Sequence, residues 1–205
     1  MRRRKCKITF VAHGATVHSE ENIFSDKEKY PPLSDLGEYE IGKVCEYLQN
    51  RGVKSNKIYA SPALRCTKTA ELVSKVFKTK FVILPELYDR KCGDWNGLSL
   101  ESIFIKHPEL KEKPYEVVQF TPPEGENLTE FNKRVGDVIS KIVEEQIGNR
   151  IIIVTYPSVI QAAVANALEL EEKNEAKIMI KTGSLTQISY FSNWASVIYS
   201  GYIPL

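Results

Sequence analysis

The sequence has no excess of charge of either sign, and this limits the partners that it can be expected to bind. Its 28 lysine and arginine residues are nearly balanced by 26 aspartate and glutamate residues, so the formal net charge is +2. Domains that bind nucleic acid usually carry a strong basic field. We therefore predict no nucleic-acid partner. The one basic cluster, Arg2-Arg3-Arg4-Lys5, is interpreted as a solvated terminus, with a phosphate-binding arm as the alternative.

Long hydrophobic runs are also lacking. A membrane-spanning helix needs about 20 consecutive, predominantly apolar residues, and no stretch of this sequence approaches that length. The apolar run at 8–12 is too short for the hydrophobic region of a signal peptide, and His13-Gly14 follows it instead of a cleavage site. We therefore predict no membrane partner and a cytoplasmic location.

Closely spaced cysteine pairs are absent. The four cysteines, Cys6, Cys45, Cys66 and Cys92, are widely scattered, and none forms a Cys-x-x-Cys motif. This spacing predicts neither a disulfide framework nor a zinc site, and it fits a reducing compartment.

What the sequence does contain is an alternation of short β-branched runs and amphipathic stretches over a single predicted domain, residues 1–205. This alternation is typical of an α/β fold. Strands are predicted at 5–11, 57–60, 81–84, 150–155, 184–191 and 196–202, and helices from Ser34, from Ser61-Pro62, at 100–107, from Asn127 or Thr129 to Ile147, and at 158–168. We expect a three-layer α/β/α sandwich whose mostly parallel sheet of five or six strands carries helices on both faces.

The segment at about 85–126 is irregular and rich in proline and glycine. Long irregular segments inside a compact domain are usually functional. We therefore predict that this segment forms a lid over a binding pocket.

Three residues follow predicted strands or begin the helices after them. His13 follows the first strand, Arg65 lies in the first turn of the helix after the second, and Tyr156 follows the strand at 150–155. In open α/β sheets, ligands bind beyond the carboxyl ends of the strands. Backbone N–H groups at a helix start, together with a guanidinium, suit an anion.

Six motifs in order along the chain resemble those of the histidine phosphatase superfamily, which contains the cofactor-dependent phosphoglycerate mutases. They are His13-Gly14-x-Thr16, Pro32-Leu33-Ser34-x-x-Gly37, Tyr59-Ala60-Ser61-Pro62-x-x-Arg65-x-x-x-Thr69-Ala70, Leu87-x-Asp89-x-x-x-Gly93-x-Trp95-x-Gly97-Leu98, Pro123-Glu124-Gly125-Glu126-Asn127 and Val154-Thr155-Tyr156-x-x-Val159-Ile160. The resemblance implies a phosphoglycerate mutase-like fold and phosphoryl transfer through a phosphohistidine.

The resemblance also implies individual functions. His13 would be the nucleophile, Arg65 would neutralise the phosphate oxygens, and Asp89 would protonate the leaving alkoxide. Thr16 and Ser61 would help to form the phosphate-binding pocket. No metal or other cofactor is implied, because the protein itself supplies the positive charges.

Four positions depart from the family pattern, and one of them is Pro157, where a glycine usually follows the second histidine. Ala12 stands where the family has an arginine, Tyr156 where it has a second histidine, and Ala15 where an acidic residue or glutamine is common. Removing one preorganised donor from a transition-state oxyanion typically costs about 10²–10³ in rate. For two such losses we expect a deficit on the order of 10⁴. His18, Arg90, Lys91 and the amino-terminal arginines are the basic groups that could compensate.

The sequence supports three hypotheses for function. The first is a phosphomonoesterase of reduced activity that acts on a small phosphorylated metabolite through a phosphohistidine at His13. The second is a catalytically inactive pseudoenzyme of the same fold that binds an anion or serves in regulation. The third is phosphoglycerate mutase activity, which ranks below hydrolysis. Mutations introduced at positions 12 and 156 would be a separate explanation for the departures at Ala12 and Tyr156. The identity of the substrate and the oligomeric state, including a homodimer, are left open.

Overall fold

A six-stranded mixed sheet forms the centre of the computed structural model, which describes residues 5–26 and 31–204. Its strands are β1 (Cys6–Ala12), β2 (Lys57–Ala60), β3 (Phe81–Ile83), β4 (Arg150–Thr155), β5 (Leu185–Tyr190) and β6 (Ala195–Tyr202). The order across the sheet is β3-β2-β4-β1-β5-β6. The first four strands in this order pair in parallel, and β5 and β6 add an antiparallel hairpin next to β1. The predicted strands and the mostly parallel sheet are confirmed.

Seven α-helices occur in the described residues: α1 (Val17–Glu20), α2 (Asp35–Asn50), α3 (Leu64–Phe77), α4 (Leu100–Lys106), α5 (Pro108–Glu112), α6 (Leu128–Glu145) and α7 (Pro157–Ala167). Helix α2 packs against α3, and α6 packs against α7. From β1 the chain runs through α2 to β2 and through α3 to β3, toward one edge of the sheet, and then through α6 back to β4. Because such crossovers are right-handed, this change of direction places α2 and α3 on one face of the sheet and α6 on the other. The predicted three-layer sandwich is thus confirmed. None of the described helices is long and apolar enough to cross a membrane.

The starts of α2 and α6 follow from their capping residues. Ser34 accepts a hydrogen bond from the backbone N–H of Gly37, and Asn127 accepts one from that of Glu130. Side-chain oxygens at this position satisfy N–H groups that have no partner within the helix. Both starts agree with the sequence prediction.

The predicted start of the second long helix is wrong. Helix α3 begins at Leu64, and its N-cap is Ala63, not Ser61. The backbone N–H of Ser61 donates to Val154 O at 3.0 Å, so this residue still belongs to the sheet pairing of β2 with β4. The helix therefore starts later than the Ser-Pro sequence suggests.

The loop after β1 contains a short helix that the sequence analysis did not predict. Thr16 and Ser19 form a capping box at the start of α1, in which each side chain accepts from the other residue's backbone N–H. Four residues are too few for a hydrophobic periodicity to show in the sequence. Residues 27–30, in the same loop, lie outside the described residues.

The irregular segment at 85–126 contains α4, α5 and several 3₁₀ turns, and it has an apolar cluster of its own. The cluster consists of Cys92, Trp95, Ile103, Leu110 and Val117, with Phe24 and Phe120 packed against it. Phe24 comes from the loop after β1, and its backbone N–H donates to Leu98 O at 2.9 Å. The loop after β1 and the predicted lid therefore pack together over the edge of the sheet.

A close contact between two glycines connects the end of β1 to α2. A Cβ atom on Gly14 would lie 2.4 Å from Gly37 O, and one on Gly37 would lie 2.1 Å from Ala15 O. Real Cβ atoms do not approach backbone atoms so closely, so both positions need glycine for the contact. The contact sets the position of the chain immediately after His13.

We expect Gly37→Ala to lower the free energy of unfolding by about 1–3 kcal/mol, because the added methyl group meets backbone atoms that cannot move independently. Gly42→Ala in the same helix is the matched control, since a Cβ there has no neighbour within 4 Å. Alanine at this exposed helical position should stabilise by roughly 0.5–1 kcal/mol. Urea denaturation of both variants measures the difference, and equal effects would contradict the proposed contact.

Candidate active site

A cavity of about 320 Å³ lies at the carboxyl ends of β1 and β4 and will be called the site cavity. It is lined by His13, Thr16, His18, Ser19, Asn22, Ile23, Phe24, Ser25, Arg65, Asp89, Cys92, Leu100, Tyr156, Pro157, Ser158 and Thr182. The structure thus brings together five of the residues predicted from the sequence: His13, Thr16, Arg65, Asp89 and Tyr156. These residues are far apart in the sequence and meet because parallel strands end at the same edge of the sheet.

His13 is held by its backbone and by one ring nitrogen. Its N–H donates to Thr155 O at 3.0 Å, which continues the pairing of β1 with β4. Its Nδ1 lies 2.8 Å from Gly14 O. A carbonyl oxygen only accepts, so Nδ1 carries the hydrogen and the lone pair is on Nε2. This tautomer is the one that a nucleophilic Nε2 requires.

The surroundings of His13 keep its ring neutral. The side chain is buried, and burial lowers the pKa of His13 from 6.5 to about 3, with the positive charge of Arg65 acting in the same direction. The hydrogen bond to Gly14 O opposes this shift. Because only the neutral ring has a free nitrogen lone pair, His13 is in its nucleophilic form at neutral pH.

Arg65 lies in the first turn of α3 and is 3% exposed. Its Nη2 donates to Ser25 O at 2.5 Å and to Tyr156 Oη at 3.3 Å. Within the part of the chain that the structure describes, Arg65 is the one lysine or arginine that lines the site cavity. A dianionic phosphate bound there would therefore meet a single fixed positive charge.

Thr69 links Arg65 to the chain that follows His13. Its hydroxyl donates to Arg65 O at 2.8 Å and accepts from Gly14 N at 3.2 Å. One buried side chain thereby fixes the first turn of α3 relative to the loop after β1. Thr69 stands in one of the six motifs, but its spacing alone did not indicate this connection.

Tyr156 contacts both His13 and Arg65. Its ring meets the His13 ring edge-on at a centroid distance of 5.4 Å, and Cζ of Arg65 lies 4.8 Å from the Tyr156 ring centroid. Burial raises the pKa of Tyr156, so its hydroxyl stays neutral. Tyr156 therefore offers Arg65 an aromatic face and a hydrogen-bond acceptor, and it adds no positive charge.

The two altered alanines lie away from the cavity wall. Ala12 is fully buried in the core, and its N–H donates to Ser184 O at 3.0 Å. Ala15 is 2% exposed, and its N–H donates to Glu40 Oε2 at 2.8 Å. Neither residue is in the cavity lining given above.

Asp89 lies two residues after the first 3₁₀ turn of the lid segment, Pro85–Leu87, and is half-buried. Its Oδ1 accepts from the Ser158 hydroxyl and, at 2.8 Å, from the backbone N–H of Arg90. Burial raises the pKa of Asp89, and the hydrogen bond from Ser158 and the charge of Arg65 oppose the shift. A carboxyl group with a raised pKa retains its proton at higher pH, as a general acid must.

Arg134 on α6 positions the backbone that carries Asp89. Its guanidinium donates to Glu86 O and Tyr88 O, both at 2.9 Å, and to Asp89 O at 3.1 Å. It also forms a two-pronged ion pair with the carboxylate of Glu126, at 3.0 and 2.7 Å. Sequence analysis did not single out Arg134, since it lies outside the family motifs.

The basic groups proposed to compensate have different positions. Arg90 donates to the carbonyl oxygens of Val118, Phe120 and Glu126, so its guanidinium is part of the lid. Lys91 is exposed, whereas His18 lines the site cavity. Residues 2–4 of the amino-terminal cluster lie outside the described residues.

Thr16 and Ser61 differ in their relation to the cavity. Thr16 lines it, and its hydroxyl accepts from Ser19 N at 3.2 Å. Ser61 is fully buried and is not in the cavity lining. Across residues 5–26 and 31–204 no group of three or more His, Cys, Asp or Glu side chains could hold a metal ion.

Comparison with known proteins identifies relatives of this chain. A model of the histidine phosphatase superfamily, branch 1, matches residues 8–198. A bifunctional protein of Mycobacterium tuberculosis is 23% identical over 192 residues, which are 94% of this chain and 52% of that protein. The chain therefore spans about half the length of this relative.

Two further proteins have names that refer to phosphate esters. A Photorhabdus laumondii protein named "Probable phosphoglycerate mutase" is 23% identical over 177 residues, 84% of this chain and 79% of that one. The native structure of a mycobacterial glucosyl-3-phosphoglycerate phosphatase is 20% identical, covers 98% of this chain and 100% of its own, and has a TM-score of 0.85. At this identity the structural likeness shows a shared fold.

The lowered pKa of His13 predicts a pH dependence of stability. The unfolded chain binds a proton at this ring near pH 6.5, whereas the folded protein does so only near pH 3. The stabilising contribution is therefore complete above pH 6.5 and is lost as the pH falls toward 3, by up to about 1.4 kcal/mol per pH unit. His13→Gln should flatten this decline. Urea denaturation between pH 7 and 4 measures it, and an unchanged slope would contradict the buried neutral ring.

Proposed function

The chain belongs to the histidine phosphatase superfamily, branch 1, and on that premise we propose that it is a phosphomonoesterase acting on a small phosphorylated metabolite. The observation that carries the proposal is the neutral His13 ring, with its Nδ1 hydrogen bonded to Gly14 O, in one cavity with Arg65 and Asp89. These three residues correspond to a nucleophile, an anion-binding group and an acid.

In the proposed reaction, His13 Nε2 attacks phosphorus while the bond to the ester oxygen breaks. Asp89 gives its proton to the departing oxygen, which leaves as an alcohol. Arg65 stabilises the charge on the equatorial oxygens of the transferred group. A water molecule then attacks the phosphohistidine, Asp89 takes up the proton of that water, and inorganic phosphate and the original His13 ring are restored.

The charge of the site supports a slow reaction. Arg65 is the one fixed cation in the described lining, and Tyr156 provides a neutral hydroxyl where the family has a second histidine. Each missing charged donor raises the activation barrier. We therefore propose a kcat on the order of 10⁴-fold lower than that of family members that have all the catalytic charges.

A pseudoenzyme that binds an anion is the second candidate, and the contacts of Arg65 favour it. The guanidinium already donates to Ser25 O and to Tyr156 Oη. A phosphate that uses these donors must displace or share existing bonds. A mutase would need the site to bind a second phosphorylated compound, and the single cation makes this the least favoured of the three.

The leaving group should determine how strongly the reaction depends on Asp89. We expect Asp89→Asn to lower kcat for an alkyl phosphate by about 10²–10⁴, because an alkoxide needs a proton to depart. For p-nitrophenyl phosphate the loss should be much smaller, since nitrophenolate leaves without one. Steady-state kinetics with both substrates measure this difference.

His13→Ala controls for contaminating phosphatases and should abolish turnover of both substrates. Quenching with alkaline detergent after mixing with ³²P-labelled substrate should trap a protein-bound phosphoryl group in the wild type and none in His13→Ala, and later treatment with acid should release it. Labelling that persists without His13 would exclude it as the nucleophile.

Restoring the lost histidine should raise activity. We expect Tyr156→His to increase kcat by about 10²–10³, since the new imidazole can donate a charged hydrogen bond to the transferred group. Adding Ala12→Arg should increase kcat further, because it supplies the second charge that the family pattern has and this chain lacks. Tyr88→His is the matched control, because the Tyr88 ring lies 5.9 Å from that of Tyr156. No gain in either restored variant would argue for loss of catalysis beyond these charges.

A further inference from the structure

A second cavity of about 210 Å³ lies between the lid segment and α6–α7 and will be called the lid cavity. Most of its wall is apolar and aromatic, from Phe24, Trp95, Val117, Val118, Phe120 and Phe131. Trp95 and Phe120 stack with their ring centroids 5.1 Å apart. An apolar wall of this kind suits a hydrocarbon or aromatic group.

Four charged residues line the lid cavity: Asp89, Arg90, Lys91 and Glu175. The Arg90 guanidinium donates to three carbonyl oxygens of the lid. Glu175 is 1% exposed, and its Oε2 accepts from Asn132 Nδ2 at 2.8 Å. Lys91 is exposed. The protein itself thus provides hydrogen-bond partners for Arg90, for Glu175 and, through Ser158, for Asp89, so these groups do not require a charged ligand.

The lid cavity adjoins the site cavity at the acid of the proposed reaction. Phe24, Asp89, Cys92 and Ser158 line both cavities. In phosphoryl transfer the attacking and leaving atoms lie roughly in line on opposite sides of phosphorus. A leaving oxygen protonated by Asp89 would therefore lie at the boundary of the two cavities.

We propose that the lid cavity binds an apolar, ring-sized leaving group, so that the substrates are phosphate monoesters of apolar or aromatic alcohols. This inference rests on the proposed function, because it places the phosphate in the site cavity. An apolar cavity of about 150 Å³ is known to hold benzene. A cavity of about 210 Å³ has room for one ring and part of a second.

Binding of two phosphonates that cannot be hydrolysed tests the inference without turnover. Methylphosphonate probes the site cavity alone, and (1-naphthyl)methylphosphonate probes both cavities. Isothermal titration of the wild-type protein should give a Kd at least about tenfold lower for the naphthyl compound, since burial of its rings adds to the same phosphonate contact. Equal Kd values would overturn the inference.

Val118→Phe should reduce the preference for the naphthyl compound to less than about threefold, because the larger side chain occupies the lid cavity. The Kd of methylphosphonate should stay unchanged, and this also verifies that the variant is folded. Ile105→Phe is the matched control, since Ile105 lies in the same lid segment and is 75% exposed. A naphthyl preference that survives Val118→Phe in folded protein would place the rings elsewhere and contradict the inference.

Turnover assays separate this inference from the proposed function. A naphthyl preference in binding, with no hydrolysis of 1-naphthyl phosphate, would support the lid cavity and contradict the phosphatase. Hydrolysis of 1-naphthyl phosphate and of glycerol phosphate with equal kcat/KM, together with equal phosphonate binding, would support the phosphatase and overturn the lid cavity as a subsite.

Discussion

The site depends on the hydrogen bonding of β1 to β4 on one side and to β5 on the other. Parallel pairing with β4 continues beyond the strand, where His13 N donates to Thr155 O. The backbone of His13 is therefore fixed by the sheet, although its side chain projects into a cavity. The contact between Gly14 and Gly37 then fixes the chain that follows. A nucleophile needs such a rigid backbone, because small displacements from the productive geometry slow a reaction strongly.

Burial shifts the pKa values of three groups in this site toward their neutral forms. It lowers the pKa of His13 and raises those of Asp89 and Tyr156, so the neutral form of each is favoured. Arg65 is then the main fixed charge that faces a phosphate. A neutral imidazole and a protonated carboxyl are the forms that the proposed chemistry requires. The same desolvation would strengthen the attraction between Arg65 and a bound phosphate, because the effective dielectric constant is low in a buried site.

The sequence predicted the elements whose local signals agree with the fold. The bounds of β2 and β4 were predicted correctly, because both are short apolar runs next to turn residues, and Ser34 and Asn127 were recognised as helix starts from their capping chemistry. The Ser61-Pro62 pair carries an equally good local signal and misled the prediction. Its backbone N–H is taken by β4, which is a partner that no local pattern contains.

The sequence by itself determined the family, the order of the motifs and the absence of arginine at Ala12 and histidine at Tyr156, because these are matters of residue type and spacing. Only the tertiary structure decided which basic groups face the cavity. Arg90 was predicted only as a basic group that could compensate for the missing charges, and its guanidinium binds lid carbonyl oxygens contributed from as far along the chain as Glu126. Contacts between residues far apart in sequence depend on packing of the whole chain, and this is why they could not be predicted from the motifs.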